Sequence, residues 1–229
     1  MLINTQSKDF RTLGYVLRRT NYGEADRILN IITPQGKLTA IAKAARKEKS
    51  KLAGGIEVFS LTDYYIHSGR SEFGIITSAK MIKHYDKIIK DLAKLELAGN
   101  ILKLINKNAE GSDNPDYFQI VDQSLAGLND GYDEVIVEAW VLLRVAKALG
   151  EEINLYRDTD GERLKPELNY EWDIMESAFS KTIDGEYGAD EIKMLRLMST
   201  SALKIASRVK IDVSVRDKLL RVVKNAVRI

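Results

Sequence analysis

The stretch Gly36-Lys37-Leu38-Thr39-Ala40-Ile41-Ala42-Lys43-Ala44-Ala45-Arg46-Lys47-Glu48-Lys49-Ser50-Lys51-Leu52 decides the reading of the whole chain. Its first half alternates, with Leu38, Ala40 and Ala42 on one face and Thr39, Ile41 and Lys43 on the other, which is the period of a β-strand. Its second half, Arg46 to Lys51, holds four cations and one acid, Glu48. A strand running into clustered Arg and Lys suits a binder of a polyanion backbone, because each cation near a phosphate releases counterions without reading sequence. A solvated basic loop that binds nothing has the same composition.

Outward from that stretch, residues 1–85 read as five short strands: Leu13 to Arg19, Arg27 to Thr33, Lys37 to Lys43, Ile56 to His67 and Gly74 to Ala79. Thr33-Pro34-Gln35-Gly36 joins the second and third as a tight turn, Pro setting φ and Gly accepting a positive one. Five strands in about 85 residues without a helical pattern predict a small closed or partly open barrel of the OB-fold kind. From Asp86 the period becomes helical. Ile88, Ile89, Leu92, Leu95, Leu102 and Ile105 form one stripe, and Asn114-Pro115 opens a second helix carrying Phe118, Val121 and Leu125 inward. Val135 to Leu149 closes on Gly150, Glu152 to Tyr170 reads as a polar loop, and Asp190 to Val209 and Val213 to Val227 are two amphipathic helices. The expected fold class is therefore α+β, an N-terminal five-stranded OB-fold barrel (1–85) followed by an all-α helical domain (86–229).

The 229 residues, 45% hydrophobic and 30% charged, describe a globular chain able to bury a core. Without cysteine there is no disulfide, thiol nucleophile or Cys-ligated zinc. Met1 to Thr20 lacks the apolar run of a secretory signal, and Val135 to Val145 is too short and charged to cross a bilayer, so a cytoplasmic protein is expected. The net charge of +2 conceals a basic head, an acidic middle and a basic tail. Acid repels nucleic acid, so such a site belongs on the head, helped by the tail.

The first candidates for phosphate contact are Lys37, Lys43, Arg46, Lys47, Lys49 and Lys51. Arg18 and Arg19 are adjacent, so a strand turns them to opposite faces and at most one joins the site; Arg19 is retained. Arg27 is a further candidate, although a turn in which Glu24 or Asp26 pairs with it explains it equally well. Tyr22 and Phe73 can stack on bases or lid a barrel end. Of Tyr64 and Tyr65, one belongs to the core and the other to the surface. His67 and His84 sit in no catalytic arrangement. Gly69 to Gly74 has phosphate-loop spacing but Ile75-Ile76 in place of Lys-Ser/Thr, and Gly69-Arg70-Ser71 lacks the second Gly of a nucleophile elbow. Asp158, Asp160 and Gly161 resemble part of a Ca²⁺ loop, yet Asn169 stands where its Glu is needed. No enzyme and no cofactor is signalled.

The residues Gly14-Tyr15-Val16-Leu17, Tyr22-Gly23-Glu24-Ala25-Asp26-Arg27-Ile28-Leu29, Thr33, Gly36-Lys37, Ala42 to Lys47, Lys49-Ser50-Lys51-Leu52, Gly54, Glu57 and Phe59 together resemble the N-terminal domain of the bacterial DNA repair protein RecO family. Leu149 to Leu155 resembles the helical domain more weakly. The resemblance implies an OB-fold joined to a helical domain and a non-enzymatic recombination mediator. Such a protein binds single- and double-stranded DNA and anneals complementary strands. With RecR it assists RecA loading onto DNA coated by single-strand-binding protein (SSB). Many members carry a four-cysteine zinc motif after the segment matching Ile153-Asn154-Leu155; Tyr156 to Gly161 has no Cys here, and no metal site is carried over. The Gly that many members show after the strand's Lys is Ala44, read as a minor change. An adaptor whose barrel docks an acidic protein tail, and an RNA-binding OB module, remain open from the residues themselves.

Overall fold

A computed structural model describes residues 8–68 and 73–226 of the chain. Gly69-Arg70-Ser71 and Val227 lie outside the described residues. The chain divides into two compact units, one ending at Leu125 and one beginning at Ala126.

The first unit is built on five strands: β1 (Lys8–Tyr22), β2 (Asp26–Thr33), β3 (Gly36–Ala42), β4 (Ser60–Ser68) and β5 (Gly74–His84). They pair in the ring order β1-β2-β3-β5-β4 and return to β1. All pairings are antiparallel except β3 with β5, a parallel seam of two pairs, Ala40↔Gly74 and Ile41↔Ile75. This is the expected five-stranded OB-type sheet, with β1 and β5 running beyond the apolar alternation that marks them, whereas the fourth strand begins only at Ser60 and not at the expected Ile56, because Phe59 takes φ +56, which a strand does not continue through. Inside it lie Val16, Leu29, Ile31, Ala40, Ala42, Tyr64, Ile66 and Ile76, the alternate residues of each strand.

A second apolar layer forms outside the sheet. Tyr15 and Ile32 are paired across β1 and β2 and both are buried. Tyr15 stacks on Tyr85 and lies 5.5 Å from the ring of Phe118. Its hydroxyl donates to Asp122 at 2.5 Å, and burial followed by that bond pushes its pKa well above the usual phenol range. Two helices carry this layer: α1 (Leu92–Asn108), capped by Asp91, and α2 (Asp116–Asp130), which bears Phe118, Val121 and Leu125 inward as expected. The stripe read from Ile88 fails at Ile89 and Leu92, both exposed, because α1 begins only at Leu92.

The second unit contains α3 (Glu134–Leu149), capped by Asp133 and ended by left-handed Gly150. It also contains α4 (Ala189–Thr200), the short α5 (Leu203–Ala206) and α6 (Val213–Ala226). The expected helix from Asp190 to Val209 is thus broken after Thr200. The helical character holds, with one addition: β6 (Tyr170–Asp173) and β7 (Ala178–Lys181) form an antiparallel hairpin. Tyr170, Trp172, Phe179 and Tyr187 make a buried aromatic cluster around it, with ring centroids 5.1 to 6.4 Å apart.

Candidate nucleic-acid interface

The basic segment after β3 is folded onto the end of the sheet by apolar anchors. Ala45 and Ile56 are buried in the sheet's core and Leu52 packs against it. Successive backbone turns, Lys47 N–H to Ala44 O, Ser50 N–H to Lys47 O and Gly55 N–H to Leu52 O, coil the chain between these anchors. A short 3-10 turn, Ala53–Gly55, closes the segment. A Cβ on Gly55 would stand 2.2 Å from the carbonyl oxygen of Ala79, so only glycine permits that approach to β5.

Between the anchors the cations point outward. Lys43, Arg46, Lys47, Lys49 and Lys51 are exposed. The four lysines have no ion-pair or hydrogen-bond partner on their side chains among the described residues. The segment is also tied to the β1–β2 turn. Ala44 N–H donates to Asp26 Oδ1 at 2.7 Å, Arg46 N–H to Ala25 O at 2.9 Å, and the Arg46 guanidinium to Glu24 O. Tyr22, the last residue of β1 and 53% exposed, is the strand partner of Asp26, whose side chain holds the start of the basic segment. The structure therefore gathers Tyr22, Lys43, Arg46, Lys47, Lys49 and Lys51 at one end of the sheet.

Other candidates are placed differently. Lys37, expected to contact phosphate, is not available to do so: its side chain is 4% exposed, ion-paired to Glu110 and bonded to Asn106 O at 2.8 Å. The strand alternation puts it on the outer face, but α1 covers that face. Gly36 beside it has φ +112 and sits against the Ser112 backbone, which seats the β2–β3 turn on the chain after α1. Arg19 is ion-paired to Glu57 at 2.8 Å, so part of its charge is committed locally. Arg27 is half-buried, and its Nε is buried without a hydrogen-bond partner among the described residues. Asp26 is engaged by Ala44, and no ion pair joins Arg27 to Glu24 or Asp26 among the described residues, so the pairing expected of that turn is not formed. Phe73 is half-buried just before β5. Tyr64 is the core residue and Tyr65 the surface one, and His67 is bonded to Asp9 at 2.5 Å.

Ala44 is not a minor change. Its φ is +52, the left-handed region that glycine occupies without strain. The signal was present in the sequence, as Ala where the family shows Gly, but its cost is visible only in the backbone.

Four of the seven described cations of the tail, all of them on α6, are ion-paired. Arg216 pairs with Asp133, Lys218 with Glu191, Arg221 with Glu186 and Lys224 with Glu138. Burial alone would raise the Glu191 carboxyl, but the amides at the start of α4 and the Lys218 ammonium hold it below the usual range. Where the resemblance places the four-cysteine motif of many members, Asp158 is buried and its Oδ1 accepts the N–H of Asp160 and Glu162. That arrangement does not fit a zinc ion, and among the described residues no three His, Cys, Asp or Glu side chains gather as a metal site requires. Nor is any described helix long and apolar enough to cross a membrane.

Comparison with known proteins gives one consistent result. Residues 8–85 match the family description "Recombination protein O N terminal", and residues 89–228 match "Recombination protein O C terminal". A protein named DNA repair protein RecO from Roseiflexus is 32% identical over 148 residues, 64% of this chain and 52% of that protein. One of the same name from Listeria monocytogenes is 29% identical over 139 residues, 60% and 54% of the two chains. One from Dehalococcoides mccartyi is 25% identical over 223 residues, 94% and 88%. In the stronger matches the aligned part spans about half the length of the curated relative.

Proposed function

We propose, from the premise that this chain belongs to the recombination protein O family, that it binds DNA through the basic segment and acts in DNA repair as a strand-annealing recombination mediator. The observation that carries the reading is the anchored segment itself. Apolar feet at Ala45, Leu52 and Ile56 fix the backbone while Lys43, Lys47, Lys49 and Lys51 are exposed and unpaired among the described residues. A rigidly presented row of free cations neutralises a sugar-phosphate chain, lowering the repulsion between two strands so that they pair without ATP. Tyr22 beside the row offers a stacking surface to an unpaired base, and Arg27 and Arg19 border it.

In this reading the protein is not an enzyme, needs no cofactor and works at the nucleoid in the cytoplasm. RecR and SSB are its protein partners, and RecA is served indirectly. The test is annealing of complementary oligonucleotides across a salt series, with and without SSB. The expected result is binding that weakens steeply with salt, and an Arg46→Glu/Lys49→Glu variant that loses binding and annealing together. Unchanged affinity in that variant removes the site assignment, and tighter binding to RNA than to DNA of one sequence would favour an RNA-binding module.

A further inference from the structure

Annealing brings two strands together, and the basic segment accounts for one. The exterior of β1, β4 and β5 offers a second surface in the same unit. Register places Arg11, Tyr65 and Ser78 in one row across the three strands, and Leu13, Asp63 and Lys80 in the next. Lys83 follows opposite Leu61. Tyr65 alternates with buried Tyr64 and Ile66 and is 45% exposed, and its cross-strand partner on β5 is the small Ser78.

The charges on this face are unevenly matched. Arg11 grips Asp63, its Nε lying 2.8 Å from Oδ1 and 2.9 Å from Oδ2. That contact, more than any other, holds the Asp63 carboxyl below its ordinary range. Asp9 is likewise bonded to His67. Both acids are thus engaged, whereas Lys80 has no ion-pair partner among the described residues and Lys83 has only the face of Tyr85, 4.7 Å from its Nζ. Leu13, in the row of Asp63 and Lys80, and Ile82, between Lys80 and Lys83 in the chain, add exposed apolar surface. From Ser78 to Lys83 the face runs about 17 Å along β5. An exposed ring followed by two available cations along a strand is the layout by which a sheet stacks a base and tracks a phosphate chain.

We propose that this face is a second single-strand site, Tyr65 stacking on a base while Lys80 and Lys83 contact phosphates. The inference rests on the DNA-binding reading above. One protein then presents two separately held strands, and complementary bases meet through local concentration rather than chance encounter.

The test uses the full chain and oligo(dT), with annealing of a complementary pair as the second readout. Wild type binds two oligonucleotides per chain at low salt. Tyr65→Ala/Lys80→Gln binds one, keeps the first dissociation constant within about twofold, and anneals about tenfold more slowly. Tyr65→Phe retains the second strand. Lys80→Gln alone, an exposed change that spares the fold, lowers the salt slope of the second binding step by about 0.7. A wild type that binds one strand, or a double variant that binds and anneals like wild type, overturns the inference and leaves the face to a protein partner. If Arg46→Glu/Lys49→Glu still collapses the first binding step, the reading of the basic segment stands regardless. If that variant changes nothing while the Tyr65 variant abolishes binding, the basic segment's assignment falls and this face remains.

Discussion

Two basic regions of this chain carry similar formal charge and have opposite fates. The segment from Lys43 to Lys51 sits on the sheet with its lysines unpaired among the described residues, whereas α6 faces acidic residues and pairs Arg216, Lys218, Arg221 and Lys224 with them. The difference teaches that a charge count locates cations, not availability. An exposed ion pair contributes little to stability, about 0–1 kcal/mol, yet it removes a cation from the set offered to phosphate. The tail's excess is in large part the complement of the acidic middle.

The contrast can be broken by reversing charge on each side. Arg46→Glu/Lys49→Glu is expected to lower single-strand affinity by roughly 10- to 100-fold near 0.1 M salt, since each change removes a phosphate contact and adds a repulsion. The matched tail variant Lys218→Glu/Lys224→Glu should leave affinity within about twofold. Fluorescence anisotropy with one labelled oligonucleotide compares both, and equal losses would erase the distinction.

The tail variant should instead cost stability, about 2 kcal/mol, because Lys218→Glu sets a second carboxylate beside Glu191 at the start of α4. Denaturant midpoints measure it. The same carboxyl gives a pH dependence. Its folded pKa is depressed, so the stability it carries is present at neutral pH and above the ordinary carboxylate range, and is lost as pH falls below that range through the folded value. Glu191→Gln should flatten that acid limb.

Within the head, Lys37→Ala sharpens the comparison, for this cation is engaged like those of the tail. A stability loss of about 1 kcal/mol with an unchanged salt slope for DNA is expected. The smallest effect is Ala44→Gly, which should raise stability by about 0.5–1 kcal/mol by relieving a left-handed alanine, leaving DNA affinity as it was.

These cases also mark how far the sequence could be read. The existence and order of the strands, the Pro34-Gln35-Gly36 turn and the helices from Phe118 to Leu149 were legible because local period and turn chemistry determine them, whereas the apolar run from Ile56 to Phe59 looked like strand and is the turn that leads into β4. The cation cluster was legible as a cluster. Lys37 was not legible, since Glu110 lies 73 residues away and strand alternation says which face a side chain takes, not what covers it. The tail's ion pairs join residues 27 to 86 positions apart, and no window along the chain contains both members. The hairpin of β6 and β7 escaped because two four-residue strands are too short to show a period, and its aromatic residues only become a cluster once folded. Tyr65 shows the same limit, for alternation separates it from Tyr64 but does not reveal Arg11 and Lys80 as its neighbours.

The anchoring of the basic segment has a consequence for how this surface can change over time. Its outward lysines have no side-chain partner among the described residues, so substitution can retune grip on a polyanion one position at a time without disturbing the interior. Its length has no such freedom, because Ala45, Leu52 and Ile56 must each reach the same seat and Gly55 must still pass Ala79. Insertions and deletions here should be selected against even while identities drift, and an engineer wanting a weaker or stronger binder should edit letters and never spacing.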